Sequence, residues 1–166
     1  MRDRGYFLVF VIAVFLQILA NNFLHLPSYL IICILPTLIC LAPLRIRTPF
    51  LLIIAFITAF ATDFLSSGIL GLTAVSLLPV AFCRDFFYKL FIGKESFVRQ
   101  DELSSKKHGF FRVSALLIPS LLIYFLIFVL ADAAGTQPLL FNGLRLLCST
   151  VSSFLLSILL VKVIAP

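Results

Sequence analysis

The chain has 166 residues, 62% of them hydrophobic and only 12% charged, with a formal net charge of +6. A soluble domain of this size is nearer half apolar and a quarter charged. One soluble core could not bury so much apolar surface, so composition excludes an ordinary soluble domain and places the chain in a bilayer.

Six apolar runs follow in chain order. The first, 6–24, comes after Arg2 and Arg4 and so resembles a signal peptide. Its end, "QILANN", offers only Ala20 as a small cleavage residue, which favours a retained helix. The second, 29–44, is short for a helix that needs roughly 20 residues to cross the hydrocarbon core. It also carries Pro36, so it reads as kinked or re-entrant. The third is 49–65, the fourth 71–92, the fifth 110–131 and the sixth 138–164; the last three are long enough to span. The polar segment 93–109 reads as a cytoplasmic loop: a surface helix, a tether or a solvated orientation signal. The expectation is a single transmembrane domain over 1–166, an all-α bundle of about six helices with no soluble domain and no repeat.

Orientation comes from Lys and Arg. Twelve of the 13 cationic residues fall on one side of an alternating six-span arrangement, Arg145 being the exception. The positive-inside rule puts both termini and the Arg84–Arg112 stretch in the cytoplasm. Clustered between spans, these charges also attract anionic membrane lipid, and with no soluble domain to present a basic face they imply no nucleic-acid partner.

Chemistry-bearing patterns are few. Cys33, Cys40, Cys83 and Cys148 lie inside apolar runs without a C-x-x-C pair, so they read as small buried residues, not metal ligands. His25 and His108 fall on opposite sides of the membrane, and no nucleophile elbow, H-E-x-x-H or phosphate loop is present. No enzyme, catalytic residue, cofactor or metal site is expected.

Two ionisable residues stand inside apolar runs. Asp63 lies about 21 Å along the third run, near its outer end. It is either a wet span end before the Ser66–Ser67–Gly68 turn or a carboxylate facing the bundle interior. Arg145 lies about two turns into the sixth run, on a polar face with Asn142, Ser149, Ser152 and Ser153. It either pairs with Asp63 or Asp132, or snorkels to the outer headgroups. Ala55, Thr58, Ala59 and Thr62 form a small-residue seam on the third run, for packing within the bundle or against a partner's helix. Pro36, Pro79 and Pro119 suggest kinks. Arg84 and Asp85 sit near the inner end of run four, where they lock the helix to the cytoplasmic loop or mark a solvated end.

The order Asp63, Leu65, Ser66, then Gly71, Leu72 and Ala74, then a fourth helix ending Ala81-Phe82-Cys83-Arg84, resembles MreD, the rod shape-determining membrane protein family of bacteria. The match covers the chain in length and hydropathy, and its specific residues lie between Phe56 and Arg84. Where the family often has Gly before the Asp, this chain has Ala59 and Thr62. The resemblance implies a non-catalytic inner-membrane scaffold of the cell-wall elongation machinery. Its partners would be MreC, the MreB filament, a RodA-type polymerase and a class B penicillin-binding protein. It also implies a fold similar to the S components of energy-coupling-factor transporters, with an outward-facing groove whose rim is shaped by Asp63, Gly68 and Gly71. With Arg84 and Arg145 these are the candidate structural or partner-contact residues. The rival reading is a true S component capturing a vitamin-type molecule or metal through outer residues such as His25, Tyr29, Asp63, Asp132, Asn142 and Arg145. A proton or ion path through Asp63 lacks a second acid near the midplane.

Overall fold

The computed structural model describes residues 2–23, 30–66, 69–93, 110–133 and 138–164. They form six helices: α1 (Arg2–Phe23), α2 (Leu35–Cys40), α3 (Thr48–Leu65), α4 (Leu72–Phe91), α5 (Phe110–Ala133) and α6 (Leu139–Ile164). No strand occurs among the described residues. Helices α1, α3, α5 and α6 are long and apolar enough to cross a membrane. Helix α4 is 20 residues long but carries Arg84, Asp85 and Lys89 in its second half, and α2 has only six residues. Length and composition fit a helical membrane bundle.

The core lies where α4 meets α3 and α5. On α3 the buried residues Leu51, Ala55, Ala59, Thr62 and Asp63 recur at three- and four-residue steps, which is one helical face. The two alanines let the α4 backbone approach closely, so the small-residue seam serves packing within the chain. Thr58 is only half-buried and donates to the Ile54 carbonyl at 2.8 Å. Across the seam α4 buries Ala74, Leu77, Val80 and Ala81, and behind it α5 buries Leu116, Leu117, Leu121 and Phe125. Pro79 and Pro119 lie inside α4 and α5.

The second apolar run departs most from a simple helix. Residues 30–34 are non-helical, and α2 follows as a helix of under two turns with every residue buried. Pro36 stands in the first turn of α2, where its missing N–H matters least, and does not kink a span. Helix α2 touches α1, α3, α4 and α5, so it is enclosed by protein. This explains how a short run traverses the bundle: non-helical chain reaches up to about 3.3 Å per residue against 1.5 Å in a helix.

Non-helical backbone at membrane depth is tolerated only where protein satisfies its polar groups, each of which otherwise costs several kcal/mol. Here α1 and α6 supply the partners. The Ile31 N–H donates to Ser149 Oγ at 2.9 Å and the Cys33 N–H to Ser153 Oγ at 3.0 Å. From the other side, Gln17 donates to the Ile32 carbonyl at 2.8 Å and accepts the Ile34 N–H at 3.0 Å. One turn further along α6, the Ser157 and Thr37 hydroxyls meet at 2.5 Å. The alternation of odd-numbered N–H groups toward α6 and even-numbered groups toward α1 clamps the segment between two helices. At the far end of α2, Tyr6 donates to the Leu38 carbonyl at 2.7 Å and Arg84 Nη2 to the Ala42 carbonyl at 2.8 Å.

The helices define two ends. One gathers Arg45, Arg47, Lys89, Arg112 and Lys162 and is called the basic end; the other is formed where α1 and α3 finish and α4 begins. There Asn22 Nδ2 donates to the Leu65 carbonyl at 3.0 Å, satisfying a terminal acceptor of α3. Outward, α1 exposes Phe7, Val11 and Phe15, and α6 exposes Leu140, Leu144, Leu147, Val151, Leu155 and Leu159. In a bilayer, acyl chains or another apolar helix cover such faces.

Candidate functional site

A cavity of about 260 Å³ opens between the finishing ends of α1 and α3, the start of α4, the 30–33 backbone and α5. Its polar side carries Gln17, Asn21, Thr62, Asp63, Ser66 and Thr73. Its apolar side includes Leu35 and the rings of Tyr124 and Phe128, which stack at 5.8 Å with 30° between their planes.

Asp63 is positioned by the α3–α4 turn. Helix α4 begins at Gly71, which has no side chain to cap the exposed N–H groups, and Gly71 adopts a left-handed φ of 89°. The Asp63 carboxylate, reaching over from the last turn of α3, supplies the cap instead: Oδ2 accepts the N–H groups of Gly71 and Thr73, each at 3.0 Å. A negative charge there also favours the positive end of the α4 dipole. A Cβ on Gly71 would meet nothing within 4 Å. The demand for glycine is therefore conformational, not a matter of space. Asp63 is thus neither a wet span end nor half of an ion pair with Arg145; it is buried, faces the cavity and holds two helices together.

Arg145 pairs with Asp132 at 2.5 Å, linking α6 to α5. Both lie outside the cavity lining, as does Asn142. Arg84 is at the opposite end of α4, fully buried, with Nη2 on Ala42 while Nε and Nη1 have no hydrogen-bond partner among the described residues. Its neighbour Asp85 accepts from the Thr48 hydroxyl at 2.6 Å, so the pair binds α4 to the 42–48 connection. Of the residues singled out from sequence, Asp63 and Gly71 meet at the cavity, while Arg84 and Arg145 do not join them. Gly68, with His25 and Tyr29, lies outside the described residues, as does the polar segment 94–109.

Several residues of the site do not stand out in the sequence, among them Gln17, Asn21, Thr73, Tyr124 and Phe128. An amide inside the apolar run 6–24 was the available signal for Gln17. Tyr124, a single hydroxylated ring in run five, lies beside Cys33 and Thr73. Among the described residues no cluster of His, Cys, Asp and Glu could hold a metal ion.

No protein-family model matches the chain, and neither a curated protein nor a solved structure does.

Proposed function

We propose that the chain is a non-catalytic scaffold of the bacterial cytoplasmic membrane, acting in cell-wall elongation. The observation that carries this reading is the unity of the stretch that resembles the MreD family. Asp63, Gly71 and the α4 start form one capped turn, so the motif has a physical role in joining α3 to α4. The apolar faces of α1 and α6 offer surfaces for other membrane helices, MreC, a RodA-type polymerase and a class B penicillin-binding protein among them, with MreB on the cytoplasmic side. On this reading the basic end faces the cytoplasm, by the positive-inside rule, and the cavity faces outward. Depletion followed by microscopy tests it: rounded cells are the expected result. Normal shape together with a requirement for an external nutrient would overturn it.

The cavity favours a second reading, a small-molecule capture protein like the S component of an energy-coupling-factor transporter. Concave sites with a few placed polar groups on an apolar wall are the usual form of ligand pockets. A bound small molecule co-purifying with the chain would favour capture; co-purification of a periplasmic coiled-coil protein and a wall polymerase would favour the scaffold.

A further inference from the structure

Among the described residues, the charge on the cavity wall is of one sign. Among its described lining residues Asp63 is the one acid, and no Lys, Arg or His accompanies it. The residue is only 5% exposed, so solvent screens its charge little. Two backbone N–H groups of α4 rest on it, but a helix N-terminus amounts to about half a positive charge. A net negative charge therefore remains at the wall. The stacked Tyr124–Phe128 pair lines the same cavity, and aromatic faces present negative potential to a cation placed over them.

A carboxylate beside an aromatic wall rejects anions and rewards positive charge on an apolar group. The neutral groups add little discrimination, because Gln17 is already committed to Asn21, Ile32 and Ile34. At about 260 Å³ the space lies just below the roughly 300–1,000 Å³ of pockets for drug-sized ligands, so its occupant is small. We infer that the cavity binds a small organic cation, an amine or quaternary ammonium, with Asp63 as counter-ion and the Tyr124–Phe128 pair as its aromatic wall. The inference rests on the cavity being a ligand site and is independent of the elongation reading. An ammonium of this kind is available from a free solute or from a phospholipid headgroup.

The test uses the full chain in nanodiscs of phosphatidylglycerol, which carries no ammonium. The chain has no Trp, so Phe128→Trp places a single fluorophore in the cavity wall; the unfolding temperature of the unsubstituted chain is the parallel readout. Choline should change the emission saturably and raise the unfolding temperature, while its uncharged carbon isostere should bind at least roughly tenfold more weakly, a difference of about 1.4 kcal/mol. Asp63→Asn keeps an acceptor for the Gly71 and Thr73 N–H groups but removes the charge. It should fold and lose choline affinity by a similar factor, with the isostere unaffected. In phosphatidylethanolamine nanodiscs, an emission shift that precedes choline and disappears in Asp63→Asn identifies the headgroup as the source; no such shift identifies a free solute. Tight binding of the isostere or of acetate would overturn the cation assignment and leave a ligand cavity standing. If none of these probes binds saturably, both the cation and the ligand site fail.

Discussion

The Cys33 backbone N–H donates to the Ser153 hydroxyl at 3.0 Å, joining residues 120 apart in the chain. The contact is one of a ladder, with Ser149 above it and Ser157 below, that lets a non-helical segment run through the middle of a membrane bundle. Removing one buried acceptor leaves an N–H with neither protein nor water to receive it, at a cost of about 1–3 kcal/mol. Ser153→Ala should therefore lower stability by that amount. Ser152→Ala, one position round the helix and half-buried, should change it little. Gln17→Leu, which strips partners from both Ile32 and Ile34, should cost more than either. Unfolding in nanodiscs measures all three, and equal effects of Ser152→Ala and Ser153→Ala would remove the ladder from the account of the fold.

Asp63 offers a sharper comparison because its two roles separate. As a cap it needs only an acceptor at the α4 start, so Asp63→Asn should keep most of the stability. Asp63→Ala should lose about 0.5–2 kcal/mol, the usual cost of removing a helix cap. Gly71→Ala should lose a further about 1–2 kcal/mol through its left-handed backbone, despite the empty space around it. Thermal unfolding of the three variants gives the ranking. Asp63→Asn falling as far as Asp63→Ala would show that charge, not capping geometry, sets the stability.

These two features differ in how far the sequence announces them. Ala55, Ala59 and Thr62 are legible as a seam because helical spacing alone puts them on one face. Arg145 is legible as a charge in need of a partner, though spacing leaves Asp63 and Asp132 both open, and only the packing of α5 on α6 chooses Asp132. The second run is not legible in the same way. Hydropathy reports that 29–44 is apolar and short; it does not report whether the backbone is helical, because the groups that satisfy it come from Gln17 and from serines more than a hundred residues away. Ser149 and Ser153 were visible as a polar stripe, yet a stripe says only that something polar faces it. Asp63 shows the same limit: its depth follows from its position in a helix, while helical position leaves a wet end and a buried carboxylate equally open, and its partners lie across a turn whose course no periodicity encodes.

The Arg145–Asp132 pair is partly buried, its side chains 15% and 25% exposed. Side-chain pairs inside membrane proteins couple by about 0.6 kcal/mol on average and about 1.7 kcal/mol at most, and exposure keeps this pair within that range. Arg145→Leu should destabilise the bundle, and the exchange Arg145→Asp with Asp132→Arg should recover part of the loss. Reversal at Asp63 in place of Asp132 should recover nothing. A double-mutant cycle on unfolding free energy measures the coupling. Additive single and double variants would mean that the contact contributes no net stability.

Arg84 is the residue whose stability and function should come apart. Its guanidinium is enclosed, makes one hydrogen bond to the Ala42 carbonyl, and leaves Nε and Nη1 without partners among the described residues. Taking a cation out of water costs several kcal/mol, and the Ala42 carbonyl with the neighbouring Asp85 carboxylate offsets only part of that. Arg84→Met keeps the apolar stem and removes the charge; the Ala42 carbonyl then loses a partner at about 1–3 kcal/mol, less than the charge cost that disappears. The variant should fold with an unfolding midpoint equal to or above that of the parent. Arg84→Lys should be less stable than both, because a compact ammonium keeps the charge but loses the reach of the guanidinium fork. Should the proposed elongation role hold, a stable Arg84→Met that fails to restore rod shape to depleted cells would show that the charge serves a partner or a conformational step and not the fold. A large loss of stability in Arg84→Met would instead make the Ala42 bond a structural tie, closing the end of α2 as Tyr6 does at Leu38.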